Sequence, residues 1–509
     1  MVTDASFIKN KGFSRISHIL IKSVVRHAER PALVLHDQSH SYGDLWRLIS
    51  AGCAILKAHA TTAPFRIALV GNNHPAYIIA YFAAQCLNAS TVEVGRHESL
   101  DTIKKIVKQT EAAIVLTDRD DLRASLQGQL AVEAFSDFLS QCRATALPSV
   151  RLTPDTTEGI SPDEASIVYT SGTTGTPKGV ILSHGNFCFI VSAIISYLNL
   201  NKDDRYALIL PLCHTYGKTV LLTTFSVGGA VVLLDNFQNL PAFLKELAEK
   251  RCTLFSAVPY HAHMLLKWGN ISKHDLSALR AVTFSGNKLP PDTLDKIRES
   301  LPHVQIFSMY GLTESTTRAC YVSPEHLDSK KESCGRPLPG VELKIIAEDG
   351  STLSPGMVGE VCLRGPNIMQ GYFDDPELTA KTLVDGWLRT GDLGCIDEDG
   401  HLYLKGRMKD IIKCAGERIS PAEIEEVIRR YPGVAETAVV GTPDPFLGEI
   451  VHAFIVPEAT LNESELRAFC AKQLSHHKIP RRYSFIKEIP KGATGKVQKH
   501  LLKDNSDGK

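Results

Sequence analysis

The chain has 509 residues, 43% hydrophobic and 22% charged, enough to bury a large core and to form more than one domain. Lys plus Arg equals Asp plus Glu at 56 each, so no global field recruits nucleic acid or an acidic membrane. Residues 1–13 hold two lysines but no apolar segment of the secretory kind, and the longest uncharged apolar stretch, 219–234, is broken by Thr223, Thr224, Ser226, Gly228 and Gly229 and is too short to span a bilayer, which predicts a cytoplasmic protein.

In chain order, Ser41-Tyr42-Gly43-Asp44-Leu45 opens a helix whose apolar residues Leu45, Leu48, Ile49, Cys53, Ile55 and Leu56 fall on one stripe. A strand over 66–70 follows, then Asn72-Asn73-His74-Pro75 starts a helix over 76–87, and a further strand covers 113–117. This is β-α-β grammar, which predicts a mainly parallel sheet covered by helices. The apolar run 165–168 reads as a buried strand that empties into Tyr169-Thr170-Ser171-Gly172-Thr173-Thr174-Gly175-Thr176-Pro177-Lys178-Gly179-Val180. Glycines there permit close approach of another group, hydroxyls and backbone N–H groups make a donor-rich concavity, and Lys178 adds a point charge, a combination suited to polyphosphate. The Walker pattern does not fit, because its second glycine and its Ser or Thr would fall at Pro177 and Gly179. A surface linker would not require a strand to end directly in the loop.

Asn186 is expected to cap a helix over 187–198. A strand over 206–210 then runs into Pro211-Leu212-Cys213-His214-Thr215-Tyr216-Gly217-Lys218. His214 stands past a strand end, where open α/β sheets bind ligands. Lys218 precedes an otherwise apolar helix over 219–225 and either faces inward or snorkels to the surface. Strands over 281–285 and 305–308 end in Gly286-Asn287-Lys288 and Met309-Tyr310-Gly311-Leu312-Thr313-Glu314. From 335 to 404 the texture changes to short β-runs with turns at Glu348-Asp349-Gly350 and Asp397-Glu398-Asp399-Gly400, a small barrel or curled sheet that includes Trp387-Leu388-Arg389-Thr390-Gly391-Asp392-Leu393. Gly406-Arg407-Met408-Lys409-Asp410 comes next, followed by Gly416. Ser420-Pro421-Ala422-Glu423 then reads as an N-cap, a first-turn proline and a capping-box acid that open a helix ending at Pro432-Gly433. Strands over 437–441, 451–456 and 483–485 with a helix over 463–474 complete an α+β unit of roughly a hundred residues, a typical small-domain size. The expected division is 1–408 and 409–509. The tail Pro490-Lys491-Gly492-Ala493-Thr494-Gly495-Lys496-Val497 presents one lysine on a Gly-rich turn, and the 12 cysteines contain no C-x-x-C pair, which indicates neither a zinc site nor a disulfide framework.

Taken together, these strings resemble, in order, those of the adenylate-forming superfamily of acyl-CoA synthetases, aryl-acid ligases and adenylation domains. The resemblance covers roughly residues 30–500. It implies an α/β fold: a large N-terminal domain of helix-covered, mainly parallel sheets with a small β-barrel-like subdomain, then a small mobile C-terminal domain. It also implies site roles. Thr170, Ser171, Gly172, Thr173, Thr174, Gly175 and Lys178 would cradle ATP phosphates, with Gly286, Asn287, Tyr310, Gly311 and Arg407 completing the nucleotide site. Thr313 would meet the α-phosphate, Glu314 would bind Mg²⁺, and Asp392 would accept from the ribose hydroxyls. His214 would line the acyl pocket with Lys218, Gly286 and Gly311. Lys496 would be the mobile catalytic cation, Lys409 the hinge, and Gly416 would border the thiol tunnel.

The implied reaction is ATP-dependent acyl-AMP formation with pyrophosphate release, then transfer to CoA or to a carrier protein's phosphopantetheine. Alternatives are a non-thiol acceptor and a non-catalytic nucleotide-binding relative. The segment Cys213-His214-Thr215-Tyr216 lacks the Asp that amino-acid-activating relatives use, which predicts an acid without an α-amino group. An inward Lys218 would pair a second carboxylate or a phenolate, setting small dicarboxylic or hydroxyaryl acids against fatty acids. Two departures stand out: the family's Asn two residues before the Tyr is Ser308 here, and a proline-containing turn is replaced by Asn88-Ala89-Ser90-Thr91-Val92-Glu93-Val94, read as a local change.

Overall fold

The computed structural model describes residues 14–60, 63–145, 164–170, 177–234, 237, 239–286, 289–414, 417–458, 460–491 and 497–504. Local chemistry fixes the early helices as the sequence predicts. Ser41 caps Tyr42–Lys57: its hydroxyl accepts from the Asp44 amide at 3.1 Å while the Asp44 carboxylate accepts from the Ser41 amide at 3.2 Å, a reciprocal box whose cap is worth about 1 kcal/mol. Leu45, Leu48, Ile49 and Leu56 on its inner stripe are buried. The helix Pro75–Cys86 starts on Pro at its first turn and is buried almost all round.

The chain falls into two compact units, residues 1–342 with 363–388, and residues 343–362 with 389–509. In the first unit, five parallel strands, Glu164–Thr170, Ser90–Val94, Arg66–Val70, Ile114–Thr117 and Ala131–Ala134, form the body of one sheet. Lys178–Ser183 and Gly371–Tyr372 extend it antiparallel. A nine-stranded sheet is built around the parallel strands Gln305–Tyr310, Ala281–Phe284, Leu254–Ala257, Arg205–Leu208, Ala230–Leu233 and Pro31–Leu35. Most of these strands are buried along nearly their whole length, as parallel strands covered on both faces must be.

In the second unit, Gly448–Pro457 pairs antiparallel with Val434–Asp444 and parallel with Arg482–Phe485, and Ile412–Cys414 pairs with Glu417–Ile419. The core there joins Ile412, Ile419, Ile424, Ile428, Val439, Val451, Ile455, Leu466 and Cys470. Residues of Trp387–Ile396 pair antiparallel with Leu402–Arg407, and the turn between them closes through the Gly400 amide on the Asp397 carbonyl at 3.0 Å. The first unit has the helix-covered, mainly parallel α/β fold expected, and the second unit is smaller.

Two capping expectations differ from what forms. Ser183, not Asn186, is the cap of His184–Leu198; Asn186 is the third helical residue and returns a bond to the Ser183 amide at 2.8 Å. Ser420 makes no side-chain cap on Pro421–Arg429, because its hydroxyl donates to the Lys405 carbonyl at 2.6 Å and Glu423 binds Lys478 at 2.7 Å instead. No described helix is long and apolar enough to cross a membrane.

Candidate active site

The strand Arg205–Leu208 leads to the turn at 209–214, which Asn73 clips from the neighbouring layer: its side chain donates to the Leu210 carbonyl at 3.0 Å and accepts from the Leu212 amide at 2.8 Å. His214 then occupies the cap position of Thr215–Val227 in an extended conformation, without using its ring as a cap. Gly217 makes this sharp entry sterically feasible, since a Cβ there would sit 2.5 Å from the Pro211 carbonyl and 2.6 Å from that of Leu210. Burial lowers the His214 ring below its ordinary pKa, with Glu98 opposing, so the imidazole is neutral at pH 7.

At the end of Gln305–Tyr310 the chain folds back on itself. A Cβ on Gly311 would lie 1.9 Å from the Thr317 carbonyl, so only glycine admits this approach. Thr313–Ser315 forms a short 3₁₀ turn, after which Thr316 and Thr317 adopt φ of 49° and 84°, unfavourable for threonine by about 1–3 kcal/mol each. Asn367 holds the strained turn: its side-chain amide nitrogen donates to the Arg318 carbonyl at 2.9 Å and to that of Ser315 at 3.3 Å, while its main-chain carbonyl accepts from the Thr316 hydroxyl at 2.7 Å. The turn leaves Thr313 and Glu314 partly exposed and Tyr310 buried.

Glu314 is met by a residue that the sequence did not single out. Tyr372 donates its hydroxyl to the Glu314 carboxylate at 2.9 Å, and the Lys178 ammonium lies 5.6 Å from the Tyr372 ring centre. Burial and then the Glu314 charge push the Tyr372 phenol up. Thr170 and Lys178 stand opposite each other in register on neighbouring antiparallel strands. The structure therefore brings Thr170, Lys178, Tyr372 and Glu314 to one region of the first unit. Tyr372 was invisible because a two-residue strand carries no periodic signal. Gly286 is exposed just past the strand Ala281–Phe284.

Lys218 takes the inward alternative, but its partner is not a substrate anion. It is 1% exposed, so it does not snorkel, and its ammonium binds the fully buried Glu93 carboxylate and lies 3.4 Å from the Ser166 hydroxyl. Thr91 and Ser166 donate to Glu93 at 2.7 and 3.1 Å. The cation expected to meet a substrate anion is met by the protein's own carboxylate. The missing proline is thus more than a local change, since Glu93 replaces that turn with half of an ion pair.

In the second unit Asp392 and Arg407 are register partners, joined by an ion pair of 2.9 Å. Lys409 is exposed on the 3₁₀ turn Met408–Asp410. Ser171, Gly172, Thr173, Thr174, Gly175, Asn287, Gly416 and Lys496 lie outside the described residues.

Comparison with known proteins gives two family-model matches, AMP-binding enzyme over residues 20–373 and AMP-binding enzyme C-terminal domain over residues 423–496. The fatty acid–[acyl-carrier-protein] ligase ScoC of Streptomyces coeruleorubidus is 31% identical over 96% of this chain and 98% of its own. Among solved structures, the o-succinylbenzoate CoA synthetase of Bacillus subtilis in complex with its acyl-adenylate intermediate superposes with a TM-score of 0.87 at 29% identity, covering 96% of this chain and 98% of that one. The same enzyme with ATP and magnesium ion superposes with a TM-score of 0.85 at 28% identity, covering 96% and 99%.

Proposed function

We propose, from the premise that this chain belongs to the AMP-binding enzyme family, that its described site residues serve an ATP-dependent acid–thiol ligase acting on a carboxylic acid without an α-amino group. The enzyme activates the acid as acyl-AMP with release of pyrophosphate and passes the acyl group to a thiol, CoA or a carrier protein's phosphopantetheine. The observation that carries the site assignment is the approach of Lys178, Tyr372 and Glu314, with Thr170 the register partner of Lys178.

A carboxylate is a poor electrophile, and joining it to AMP supplies a good leaving group. One carboxylate oxygen attacks the α-phosphorus, the bond to the bridging oxygen breaks, and pyrophosphate leaves. A thiolate then attacks the acyl carbon and AMP departs. Thr170 and Lys178, with residues 171–175, receive the β- and γ-phosphates, and Thr313 donates to the α-phosphate. Tyr372 orients the Glu314 carboxylate by holding one oxygen. Glu314 offers the hard oxygen donor that magnesium requires, and the ion when bound offsets polyphosphate charge. Tyr310 and Asp392 anchor the nucleoside, with Arg407 setting the Asp392 carboxylate through their ion pair. His214, neutral, borders the acid and excludes water. In this reading Lys496 is the cation that stabilises charge developing in adenylation, and the C-terminal domain, 409–509, turns about Lys409 to bring the Gly416 segment to the thiol.

The test is pyrophosphate release over a panel of carboxylic acids with and without CoA. Lys496→Ala is expected to lose adenylation by several orders of magnitude while still converting supplied acyl adenylate to thioester, and Lys409→Pro to spare adenylation more than thiolation. Normal adenylation by Lys496→Ala, or no acid-dependent pyrophosphate from the wild type, would refute the assignment.

A further inference from the structure

The strand Arg205–Leu208 ends before the residues that carry His214 begin, so the turn 209–214 needs partners for its main chain outside the sheet ladder. Leu210, Leu212 and Cys213 in it are buried, which keeps water from filling that need. The His214 amide closes the turn on the Pro211 carbonyl at 3.1 Å. The Leu210 carbonyl and the Leu212 amide are both taken by one side chain, that of Asn73, as donor at 3.0 Å and as acceptor at 2.8 Å. A primary amide offers donor and acceptor side by side; a carboxylate lacks the donor, and an aliphatic side chain lacks both.

Asn73 comes from an anchored place. It stands past the end of Arg66–Val70 in the other sheet, and each of its neighbours is held separately. A Cβ on Gly71 would sit 2.3 Å from the Phe135 ring, the Asn72 amide donates to Asp118 at 3.0 Å, and the His74 ring stacks on Phe135 with centroids 5.8 Å apart. The His214 ring, by contrast, is partly exposed, and among the described residues no side-chain hydrogen bond holds it. Its direction is therefore set by the main chain beneath it, and that main chain is pinned from the neighbouring sheet.

We propose that Asn73 is a positioning residue of the acid site: it fixes the turn 209–214 so that the His214 ring borders the acid, and it acts on the reaction through that ring. This rests on the ligase reading above and deepens it. Without the clip, a buried carbonyl and a buried amide must find new partners, which the turn can do only by moving, and a misplacement of about 1 Å at a reacting site costs about 100-fold in rate.

The experiment is a double-mutant cycle on acid-dependent pyrophosphate release by wild type, Asn73→Ala, His214→Ala and the double variant, with octanoate, benzoate and succinate as the acids. Asn73→Ala is expected to lower kcat/KM for the acid by about 10–100-fold while the KM for ATP moves by less than about 3-fold. In the His214→Ala background the same substitution should cost less than about 3-fold, because the ring it positions is gone. The same factor in both backgrounds, or an equal loss toward acid and ATP in a variant with wild-type melting temperature, would overturn the proposal. Should Asn73→Ala not fold, Asn73→Asp, which keeps the acceptor for Leu212 and drops the donor to Leu210, carries the same cycle. If the wild type released no pyrophosphate with any acid, the ligase reading would fail separately. Amide hydrogen exchange across residues 209–216 would then decide on the clip alone, faster exchange in Asn73→Ala supporting it and unchanged exchange refuting it.

Discussion

Lys218 and Arg318 are both 1% exposed, both lie in the first unit, and both face aromatic rings, yet the fold surrounds them differently. Around Lys218 it supplies Glu93, Thr91 and Ser166, so every charge has an opposite within reach. Burial pushes the Lys218 ammonium down, and the Glu93 carboxylate beside it supplies the opposite charge. Around Arg318 the described residues supply one hydroxyl and two rings, to a cation that stays charged. The first cluster has the composition of an internal strut between the strand Ser90–Val94 and the helix Thr215–Val227. The second holds its charge on one hydroxyl and two ring faces.

The largest expected effect tests the strut. Lys218→Leu leaves Glu93 buried without its cation and should destabilise the protein by about 3–5 kcal/mol, read from denaturant midpoints. Relative rates over the acid panel should not change. Replacing both partners, Glu93→Leu with Lys218→Leu, should recover most of that loss, since a buried pair exchanged for apolar side chains is often neutral. A double variant as unstable as the single one would show that Lys218 is held by something other than Glu93.

That pair also shows what local sequence could and could not convey. Strand ends, glycine turns and the order of the motifs were legible because each is written within about a dozen neighbouring residues: Ser41 with Asp44, Gly217 inside the first turn of its helix, Gly311 against Thr317. Glu93 and Lys218 are 125 residues apart. The sequence offered only a missing proline and an oddly placed lysine, and nothing local joined them. Tyr372 escaped for the same reason, being brought to Glu314 by antiparallel pairing of Gly371–Tyr372 with Lys178–Ser183. The two capping expectations failed differently: the helix expected to start from Asn186 is capped three residues earlier by Ser183, and at Ser420 the signature did mark a helix start, but tertiary partners at Lys405 and Lys478 displaced the local box.

A smaller effect is expected at the second cation. Arg318→Met removes an uncompensated charge along with one hydrogen bond and two ring contacts, terms that oppose one another, so unfolding free energy should stay within about 1 kcal/mol of wild type. A loss of the size expected for Lys218→Leu would break the contrast and make Arg318 a structural element.

The smallest effect extends the contrast to a base that can discharge without any partner. Burial holds the His214 ring pKa below 6.5, the value its unfolded counterpart would have, with Glu98 only partly opposing. Between those two values the unfolded chain binds a proton that the folded chain does not, so this histidine's contribution to stability is intact above pH 6.5 and is lost as pH falls below it toward the folded pKa. The slope for one such group cannot exceed about 1.4 kcal/mol per pH unit. His214→Gln should therefore flatten part of the stability loss between pH 6.5 and 5 and change nothing above pH 7, in urea titrations run across that range. Arg318→Met should leave the same profile untouched, because its guanidinium carries one proton in both states. If His214→Gln left the acid limb unaltered, the ring would be taking up its proton in the folded state as readily as in water, and the neutral imidazole assigned to the acid site would have to be given up.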